Sequence, residues 1–484
     1  MKPHYDRIRK VKTASSSTAI QVGYYRGKRF KLIKHIGSSK YLAKIGELED
    51  MGRKYILSRS LQPSLNFNPH SDEIMYKRGI RVEKSYLGEA YDYLSRIYSQ
   101  ISFSQINNKY LKHFSLIRVL EPASKIKSIG LLNKYFAVGY KKTTVFREFL
   151  HLNSLKDKVI DIAIKYAKNN LGFDFTLVFY DVTTLYFEAD KGDDFRLSGF
   201  SKDNKMNLPQ ILVGLLVEKI GFPIYFDLFK GNTFEGKTII PVILKIKNKY
   251  RIKRFTVVAD AGMLSKDNLK ELEKNNIDYV VGSRVKTLKI DKAKNISLLL
   301  NKENGRIIKS GDIIYEYLSS RARKDKADND KQIEKAKYYL GNPAKVFKRS
   351  KFLANSKENK FSLNKILVEK YRLLEGIKGY KTNIKDLAPE LLIQRYKDLW
   401  RIEQSFRIAK SDLEARPIYH RKKNSIEYHF LIVFVALCMT KVIEMKEGKS
   451  IKKVVEDLKD RWTIILKDEI SGNQLELKFN NKPH

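Results

Sequence analysis

The amino-acid sequence predicts an α/β protein in which helices cover both faces of a mixed β-sheet. Two apolar runs of strand length each lead into an aspartate, in Thr176-Leu-Val-Phe-Tyr-Asp181 and in Phe255-Thr-Val-Val-Ala-Asp260. Such runs are typical of central strands that are buried on both faces. Between them, residues 208–217 and 224–229 flank a turn and predict an antiparallel hairpin. Helical patterns separate these strands, and that order indicates a mixed sheet with helices on its faces.

The chain before this sheet divides into a β-rich and a helical part. Residues 19–37 alternate apolar and basic side chains around Arg26-Gly27-Lys28, which predicts a hairpin with one cationic face. Helical periodicity then runs through four segments, near residues 86–100, 105–119, 122–135 and 155–168. Residues 121–150 fit two short helices with a basic turn. That pattern is explained by a helix-turn-helix DNA reader, and nearly as well by a helical bundle with a solvated basic face.

The chain after Asp260 alternates again between helix and strand. Ser265 is expected to cap a helix that runs to about Asn275, and a further strand follows at 279–282. Residues 287–388 are lysine-rich, contain a charged helix at 326–340 and interrupt the pattern, which indicates an inserted subdomain. The main fold resumes at Ala388-Pro-Glu, a helix start.

The C-terminal part predicts two more helices. The apolar run at 428–440 is too short to span a bilayer and is expected to be a buried helix. A final helix is predicted at 452–462, and residues 473–484 are expected to be a polar tail that frays. The predicted boundaries are 1–70 for the hairpin and basic segment, 71–170 for the helical DNA-binding region, 171–286 and 389–447 for the two parts of the core, 287–388 for the insertion, and 448–484 for the C-terminal helix and tail.

Composition and net charge limit the classes of partner and cofactor that the protein is expected to bind. The 484 residues include 95 Lys and Arg against 54 Asp and Glu, a formal net charge of +41. This excess favours a polyanion such as nucleic acid, although abundant Lys, Asn, Ile and Tyr also fit the codon bias of an AT-rich genome. The single Cys438 excludes a disulfide framework and a cysteine-based zinc site, and it fits a reducing cytoplasm. No glycine-rich phosphate loop is found, so no nucleotide cofactor is expected.

Three carboxylates are the candidate catalytic residues. A carboxylate at the end of a buried strand is costly unless it is used, and Asp181 and Asp260 both meet that description. Glu403 lies far along the chain in a helical stretch. Three such groups at one sheet edge are suited to hard divalent cations. Glu188 and Asp190 are expected in a solvated loop, and Asp227 in the hairpin facing solvent.

The helix that carries Glu403 is predicted over residues 394–413. At about 100° per residue, its apolar positions form one stripe that docks on the protein. Four polar positions, including Glu403, lie along the helix directly beside that stripe, and we call this row of positions the shoulder. An ordinary surface face with a Glu403–Arg407 ion pair explains the same pattern about equally well. The stripe consists of Leu399, Ile402, Phe406, Ala409 and Leu413, and the shoulder of Tyr396, Glu403, Arg407 and Lys410.

Taken together, these residues resemble the DDE transposases of bacterial insertion sequences, in the branch with a Tyr-Arg-Glu-Lys signature. Tyr396, Glu403 and Lys410 match that signature, but Leu399 stands where it has an arginine. Arg401 projects about 160° away from Glu403 on an ideal helix and is a poor replacement, whereas Arg407 is better placed. The phrases Arg321-Ala-Arg-Lys-Asp-Lys-Ala-Asp, Ser405-Phe-Arg-Ile-Ala-Lys-Ser and Arg416-Pro-Ile-Tyr-His420 add to the likeness, which covers residues 110–445.

The resemblance implies an RNase H-like core with an insertion between the second aspartate and the glutamate, and a DNA-end-binding region before it. It also implies two Mg²⁺ ions, which Mn²⁺ could replace, held by Asp181, Asp260 and Glu403. Tyr396, Arg407 and Lys410 would then contact phosphate. Trp400 would either pack in the protein or stack on an unpaired base, and packing is the preferred expectation.

The activity that the resemblance implies is transposition. The partners would be double-stranded DNA, as terminal inverted repeats and as target, together with a second copy of the chain on that DNA. The protein would be cytoplasmic, associated with the nucleoid when bound to DNA, and would have no membrane partner. Two alternatives stay open, an RNase H-like nuclease that cuts without joining, and a captured transposase that only binds DNA. The Leu399 departure keeps the second of these open.

Overall fold

The computed structural model describes residues 6–27, 29–59, 80–187, 192–199, 208–262, 265–342, 350–355, 361–416, 418, 420, 422–468 and 473–480. The chain forms two compact units. The first comprises Met1–Arg81 and Lys467–Gln474, and the second comprises Val82–Leu466 and Leu475–His484.

The first unit is a three-stranded antiparallel sheet with one helix on it. Its elements are β1 (Arg7–Lys12), β2 (Thr18–Arg26), β3 (Arg29–Ser39) and α1 (Leu42–Arg59). β2 and β3 form the predicted hairpin, which closes at the pair Arg26 and Arg29, whereas β1 and α1 were not predicted. Helix α1 covers one face, because Gly52 lies against Ile8 and Val22.

The second unit begins with a strand and five helices. They are β4 (Ile80–Tyr86), α2 (Gly88–Gln100), α3 (Lys109–Leu120), α4 (Lys125–Phe136), α5 (Lys142–Phe149) and α6 (Lys156–Leu171). The four predicted helical segments correspond to α2, α3, α4 and α6, with ends that differ by a few residues. Apolar side chains of α2 to α6 join the same hydrophobic core as the sheet. The helices of the predicted 71–170 region therefore pack as part of the unit that contains the sheet.

The central sheet starts with five strands that have the RNase H-like arrangement. They are β5 (Val178–Tyr186), β6 (Gln210–Val217), β7 (Pro223–Lys230), β8 (Thr256–Ala259) and β9 (Asp278–Ser283). Their spatial order is β7-β6-β5-β8-β9. β6 is antiparallel to both β7 and β5, whereas β8 and β9 run parallel to β5. Helices α7 (Gly236–Lys249) and α8 (Lys266–Lys274) connect the strands, and Ser265 caps α8 as predicted.

The predicted insertion extends this sheet. It contributes β10 (Ile307–Ser310), β11 (Ile313–Tyr317), β12 (Leu353–Asn355), β13 (Phe361–Leu363) and β14 (Ile377–Thr382). β14 pairs with β9, so β10, β11 and β14 complete an eight-stranded sheet. Its helices α9 (Ile290–Leu300), α10 (Ser319–Gly341) and α11 (Lys365–Leu373) belong to the same part of the chain. A separate small core nevertheless lies here, around Ala293, Tyr315 and Ile377.

The C-terminal part supplies the helices beside the sheet. They are α12 (Pro389–Lys397), α13 (Trp400–Arg407), α14 (Lys423–Glu447) and α15 (Ile451–Lys459). By length and composition α14 alone, in the described part of the chain, could cross a membrane, but 94% of its most apolar window is buried inside the protein. This burial agrees with the prediction of a buried core helix.

The chain end differs from the prediction of a frayed polar tail. Strands β15 (Arg461–Asp468) and β16 (Gln474–Asn480) follow α15. They form a three-stranded sheet in the order β16-β15-β4. Most of the predicted tail is therefore a strand that pairs with its neighbour, because backbone pairing orders a segment whose side chains are polar.

Candidate active site

Asp181 lies inside a strand and not at its end. β5 continues five residues beyond Asp181 to Tyr186, so the prediction of a terminal aspartate is wrong here. The reason is the pairing of β5. It pairs with β6 as far as Tyr186, but with β8 only through Val178 and Phe179. Asp181 is half-buried, just beyond the point where the ladder to β8 stops.

Asp260 directly follows the last residue of β8, as predicted, and its side chain is exposed. In the parallel pairing Phe179 lies opposite Val258. Asp181 and Asp260 each lie two residues beyond that pair, so they reach the same level of the sheet on neighbouring strands about 4.8 Å apart. The alternation of side chains also gives them the same face.

That face is the one on which the glutamate-bearing helix packs. Thr183 and Leu185 line a cavity together with Phe406 and Lys410, and α13 packs against β5 and β6. Asp181 shares the face of Thr183 and Leu185 because strand side chains alternate. The structure therefore places Asp181 on the side of the sheet that the helix carrying Glu403 covers.

Tyr396 contacts Asp260 directly. Its hydroxyl donates a hydrogen bond to Asp260 Oδ1 at 3.3 Å, and the same oxygen accepts the Ala261 amide at 2.7 Å. The tyrosine is buried, with 9% of its surface exposed. Burial raises the pKa of Tyr396, and the charges of Asp260 and Glu403 raise it further. The hydroxyl is thus held as a neutral donor, and Glu403 lies within electrostatic range of it.

Tyr396 is held by groups that the sequence patterns did not single out. Its ring makes an edge contact with Tyr380, at 5.1 Å between centroids, and the Lys378 ammonium lies 4.8 Å from its centroid. Tyr380 donates to Glu316 Oε2 at 2.7 Å, and Lys397 pairs with Glu316 Oε1 at 2.8 Å. Burial, followed by repulsion from Arg321, lowers the pKa of Lys378. These residues lie on β11, α10, β14 and α12, and local helix and strand patterns do not predict that these elements meet.

Gly282 makes room for the tyrosine hydroxyl. A Cβ atom at this position would lie 2.7 Å from Tyr396 Oη and 3.2 Å from the Ala261 Cβ. A glycine inside a strand often marks such a close approach, and this signal was present in the sequence.

Replacing Gly282 with Ala should displace Tyr396 and destabilise the protein. Crowding of this kind costs about 1–3 kcal/mol in the free energy of unfolding, which a urea titration measures. Gly130→Ala is the matched control, because no atom lies within 4 Å of a Cβ there. In the middle of α4 that control should stabilise the protein slightly. Equal stability of Gly282→Ala and the wild-type protein would contradict the tight contact.

The predicted helix over 394–413 is broken into three pieces. Helix α12 ends at Lys397, α13 runs from Trp400 to Arg407, and a π-helical turn covers Ile408–Asp412. The apolar stripe is confirmed, since Leu399, Ile402, Phe406, Ala409 and Leu413 are all buried. Leu399 packs in the core at the junction between α12 and α13. The signature position that lacks an arginine therefore faces apolar side chains in this protein.

The other shoulder residues differ in their surroundings. Glu403 is exposed on α13, and Lys410 is half-buried on the π-helical turn. Arg407 pairs with Asp412, at 3.7 Å between Nη1 and Oδ2, whereas an ordinary surface face of the helix predicts a pair with Glu403. π-Helical turns are frequent at functional sites.

Trp400 and Asp227 depart from their preferred expectations. Trp400 is 50% exposed, and the Arg401 guanidinium lies 5.1 Å from its ring centroid, so plain packing was the wrong expectation. Asp227 is half-buried and accepts from Lys156 at 2.9 Å and from Tyr225 at 3.0 Å. Burial is the largest single effect and raises its pKa, but the charge of Lys156 and the hydrogen bonds from Lys156, Tyr225 and the Leu228 amide together leave the net pKa lowered. Glu188 and Asp190 lie outside the described residues.

The donor chemistry of the three predicted carboxylates fits a divalent cation. All are oxygen ligands, which suits Mg²⁺ and Mn²⁺. Two lie on neighbouring strands of one face, and the third lies on the helix that packs on that face. In the part of the chain that the structure describes, however, no three His, Cys, Asp or Glu side chains converge closely enough to hold a metal ion. The assignment of Asp181, Asp260 and Glu403 as metal ligands therefore stays a prediction.

Comparisons with known proteins give a family match over more than half of the chain. A family model described as a transposase DDE domain matches residues 173–439. Two similar solved structures are a pre-cleavage Mos1 transpososome, at 12% identity, and a Mos1 transposase paired-end complex with the left transposon end, at 13% identity. The first match covers 36% of this chain and 58% of the Mos1 chain, and the second covers 48% and 71%. The TM-score is 0.16 in both cases. No curated protein matches the chain significantly.

Proposed function

The chain belongs to the family of transposase DDE domains, and on that premise we propose that it cuts DNA at the ends of an insertion sequence and joins those ends to target DNA. The observation that supports this best is the placement of Asp181 and Asp260 on one face of an RNase H-like sheet, with Glu403 on the helix that packs there. Joining two ends in one reaction favours a homodimer on the DNA.

The proposed chemistry is an in-line displacement at a phosphodiester bond, first by water and then by a DNA 3′-hydroxyl. Bound Mg²⁺, which Asp181, Asp260 and Glu403 would hold, lowers the pKa of the attacking hydroxyl and stabilises the leaving oxygen. The protein's own contribution is positioning and charge. Tyr396 holds the Asp260 carboxylate through its hydroxyl, and Lys410 and Arg407 would neutralise phosphate near the scissile bond.

The cleavage and joining activities can be separated in one assay. Purified protein, a labelled element end and a supercoiled target plasmid are incubated with Mg²⁺. Labelled end covalently joined to the plasmid supports the transposase. Cleaved end without joined product would favour the nuclease alternative, and binding without either product would favour a captured transposase that only binds DNA.

The face of the N-terminal sheet opposite α1 carries residues that are suited to DNA. Because Ile8 lies against α1, alternation gives Arg7 and Arg9 the opposite face. Both arginines are exposed, and Arg9 lies 5.0 Å from the ring centroid of Phe30 on the same face. Tyr25, 47% exposed, makes an edge contact with Phe30. Exposed arginines beside aromatic rings on a sheet face provide phosphate contacts and stacking surfaces together, and β-sheets are known to read DNA grooves.

Replacing both arginines, Arg7→Ala with Arg9→Ala, should weaken binding to DNA ends and reduce its dependence on salt. Loss of two phosphate contacts should lower the slope of log affinity against log salt concentration by about 2, because each contact releases about one counterion. Fluorescence anisotropy at several salt concentrations measures both. The matched control is Arg53→Ala with Lys54→Ala, which removes the same charge from exposed positions of α1. Identical salt slopes for the two double variants would exclude this face as a DNA contact.

A further inference from the structure

A cavity lined by basic side chains lies near the end of the segment that carries Glu403 and Lys410. A cavity of about 650 Å³ opens between the end of α3, the start of α4 and the chain that follows the π-helical turn. Its lining includes the basic side chains of Arg118, Lys125 and Lys127, the carboxylates of Glu121 and Glu414, and the histidines His420 and His429.

Lys125 is the unusual member of this cavity. It is 4% exposed and is the first residue of α4, whose N-terminus is capped by the Ser124 side chain. Its ammonium lies 3.2 Å from His429 Nδ1. His429 Nε2 lies 3.2 Å from the Ala415 carbonyl oxygen, so Nε2 carries the proton and Nδ1 accepts from Lys125. A buried lysine thus lies at the positive end of a helix dipole, where its charged form is disfavoured.

Arg118 adds a second buried charge. It is 3% exposed and donates from Nη1 to the carbonyl oxygens of Leu413 and Glu414, each at 3.3 Å. Burial, followed by repulsion from Arg118, lowers the pKa of Lys125. Burial also lowers the pKa of His420 to about 4, so the histidine contributes no charge near neutral pH.

Two carboxylates, Glu121 and Glu414, also line the cavity. Glu121 pairs with Lys459, and Glu414 attracts Arg118. Lys127 adds a third cation at the exposed rim, and its backbone N–H bonds to Ser124 at the helix start. The charged forms of two buried basic side chains beside a helix N-terminus are costly in isolation, whereas an anion at the same place would stabilise both charged forms and the helix end.

We propose that this cavity binds a phosphate group of the DNA backbone, held by Lys125, Lys127 and the N-terminus of α4. The assignment rests on the proposed function, because DNA is the polyanion that a transposase presents here. Arg118 connects the site to the catalytic segment, since it holds the Leu413 carbonyl three residues after Lys410. DNA bound in the cavity would therefore fix the end of the segment that carries Glu403 and Lys410.

The first arm of the test needs neither DNA nor activity. Thermal unfolding of the full chain is followed in inorganic phosphate and in chloride at equal ionic strength. The wild-type protein should gain thermal stability in phosphate, and Lys125→Met should lose that gain, because the neutral side chain keeps the volume without the charge. Lys134→Met, an exposed lysine on the same helix, is the matched control and should keep it.

The second arm measures affinity for element ends with the same variants and with Lys127→Ala at the rim. Lys125→Met should bind about 10- to 100-fold more weakly than Lys134→Met, the range for one hydrogen bond to a charged group. Lys127→Ala keeps the test available if Lys125→Met does not fold. No phosphate-specific stabilisation of the wild-type protein would overturn the proposal.

The two arms also separate DNA phosphate from free phosphate. One outcome is that Lys125→Met loses the stabilisation by phosphate, while Lys125→Met and Lys127→Ala both bind element ends with unchanged affinity. That outcome would overturn the DNA assignment in favour of a small phosphate ligand. Failure of the proposed transposase function would show differently, as absent cleavage and joining by a wild-type protein that still gains stability in phosphate.

Discussion

Asp181→Asn, Asp260→Asn and Glu403→Gln should each lower cleavage of element ends by at least about a thousandfold, while end binding is retained. Each substitution keeps the size of the side chain and removes one negative oxygen ligand. A thousandfold loss corresponds to about 4 kcal/mol in the activation barrier, within the range that metal-assisted charge stabilisation supplies. Cleavage is measured on a labelled end at saturating Mg²⁺, and binding by fluorescence anisotropy on the same DNA.

Glu390→Gln is the control for these variants. Glu390 is an exposed carboxylate in the first turn of α12, so its replacement removes the same charge from a nearby helix without touching the three candidates. Cleavage by this variant should match the wild-type protein. If all three candidate variants cleave at the control rate, the assignment of the site is refuted. If only Asp181→Asn does so, the mid-strand aspartate is not a ligand and a different carboxylate must be sought.

The core strands could be predicted because their physical signals are local. β6, β7, β8 and β9 are short apolar segments bounded by turn residues, and Asp260 ends its strand where the apolar run ends. The position of Asp181 within β5 could not be read in this way. Val-Thr-Thr-Leu-Tyr after Asp181 has β propensity, but whether it stays in the ladder depends on pairing with β6, thirty or so residues later. Pairing with a distant partner decides the end of a strand.

The geometry around Tyr396 was beyond sequence reasoning for a related reason. A continuous helical pattern runs through residues 394–413 with no Pro or Gly to break it, yet the chain leaves the helix at Asp398 and Leu399. Leu399 is buried at this break, so tertiary packing overrides the local pattern. Because of this break, Tyr396 and Glu403 lie on two different helices, and their relative direction cannot be calculated from one continuous ideal helix. Its contact with Asp260 joins residues 136 positions apart.

The insertion shows a third limit of local patterns. Its lysine-rich composition indicated a separate subdomain, and a small core of its own does exist. β14 nevertheless pairs with β9 and brings Lys378 and Tyr380 next to Tyr396. The lysine-rich composition of the insertion indicates solvated surface, but it does not predict which sheet the six-residue strand β14 joins. The insertion therefore contributes side chains to the candidate site, a role that local sequence patterns do not predict.

Phe434→Ala should destabilise the protein by about 3–5 kcal/mol, the largest stability effect expected from a single truncation here. Phe434 is 2% exposed near the middle of α14, and its ring lies 5.0 Å from that of Phe226 on β7. The loss has two parts, the apolar surface that the ring no longer buries and the cavity that remains. Urea unfolding of the full chain measures the change in free energy.

The comparison that gives this prediction its meaning is with an exposed apolar residue on the same helix. Met445 is 40% exposed, so Met445→Ala should change the free energy of unfolding by less than about 0.5 kcal/mol. A large gap between the two variants requires that α14 packs inside the protein, against the sheet that carries Asp181. If Phe434→Ala proves as mild as Met445→Ala, α14 is not the core helix, and its length and apolar composition would instead suit a membrane. The sheet would then lose the support on the face that carries Asp181.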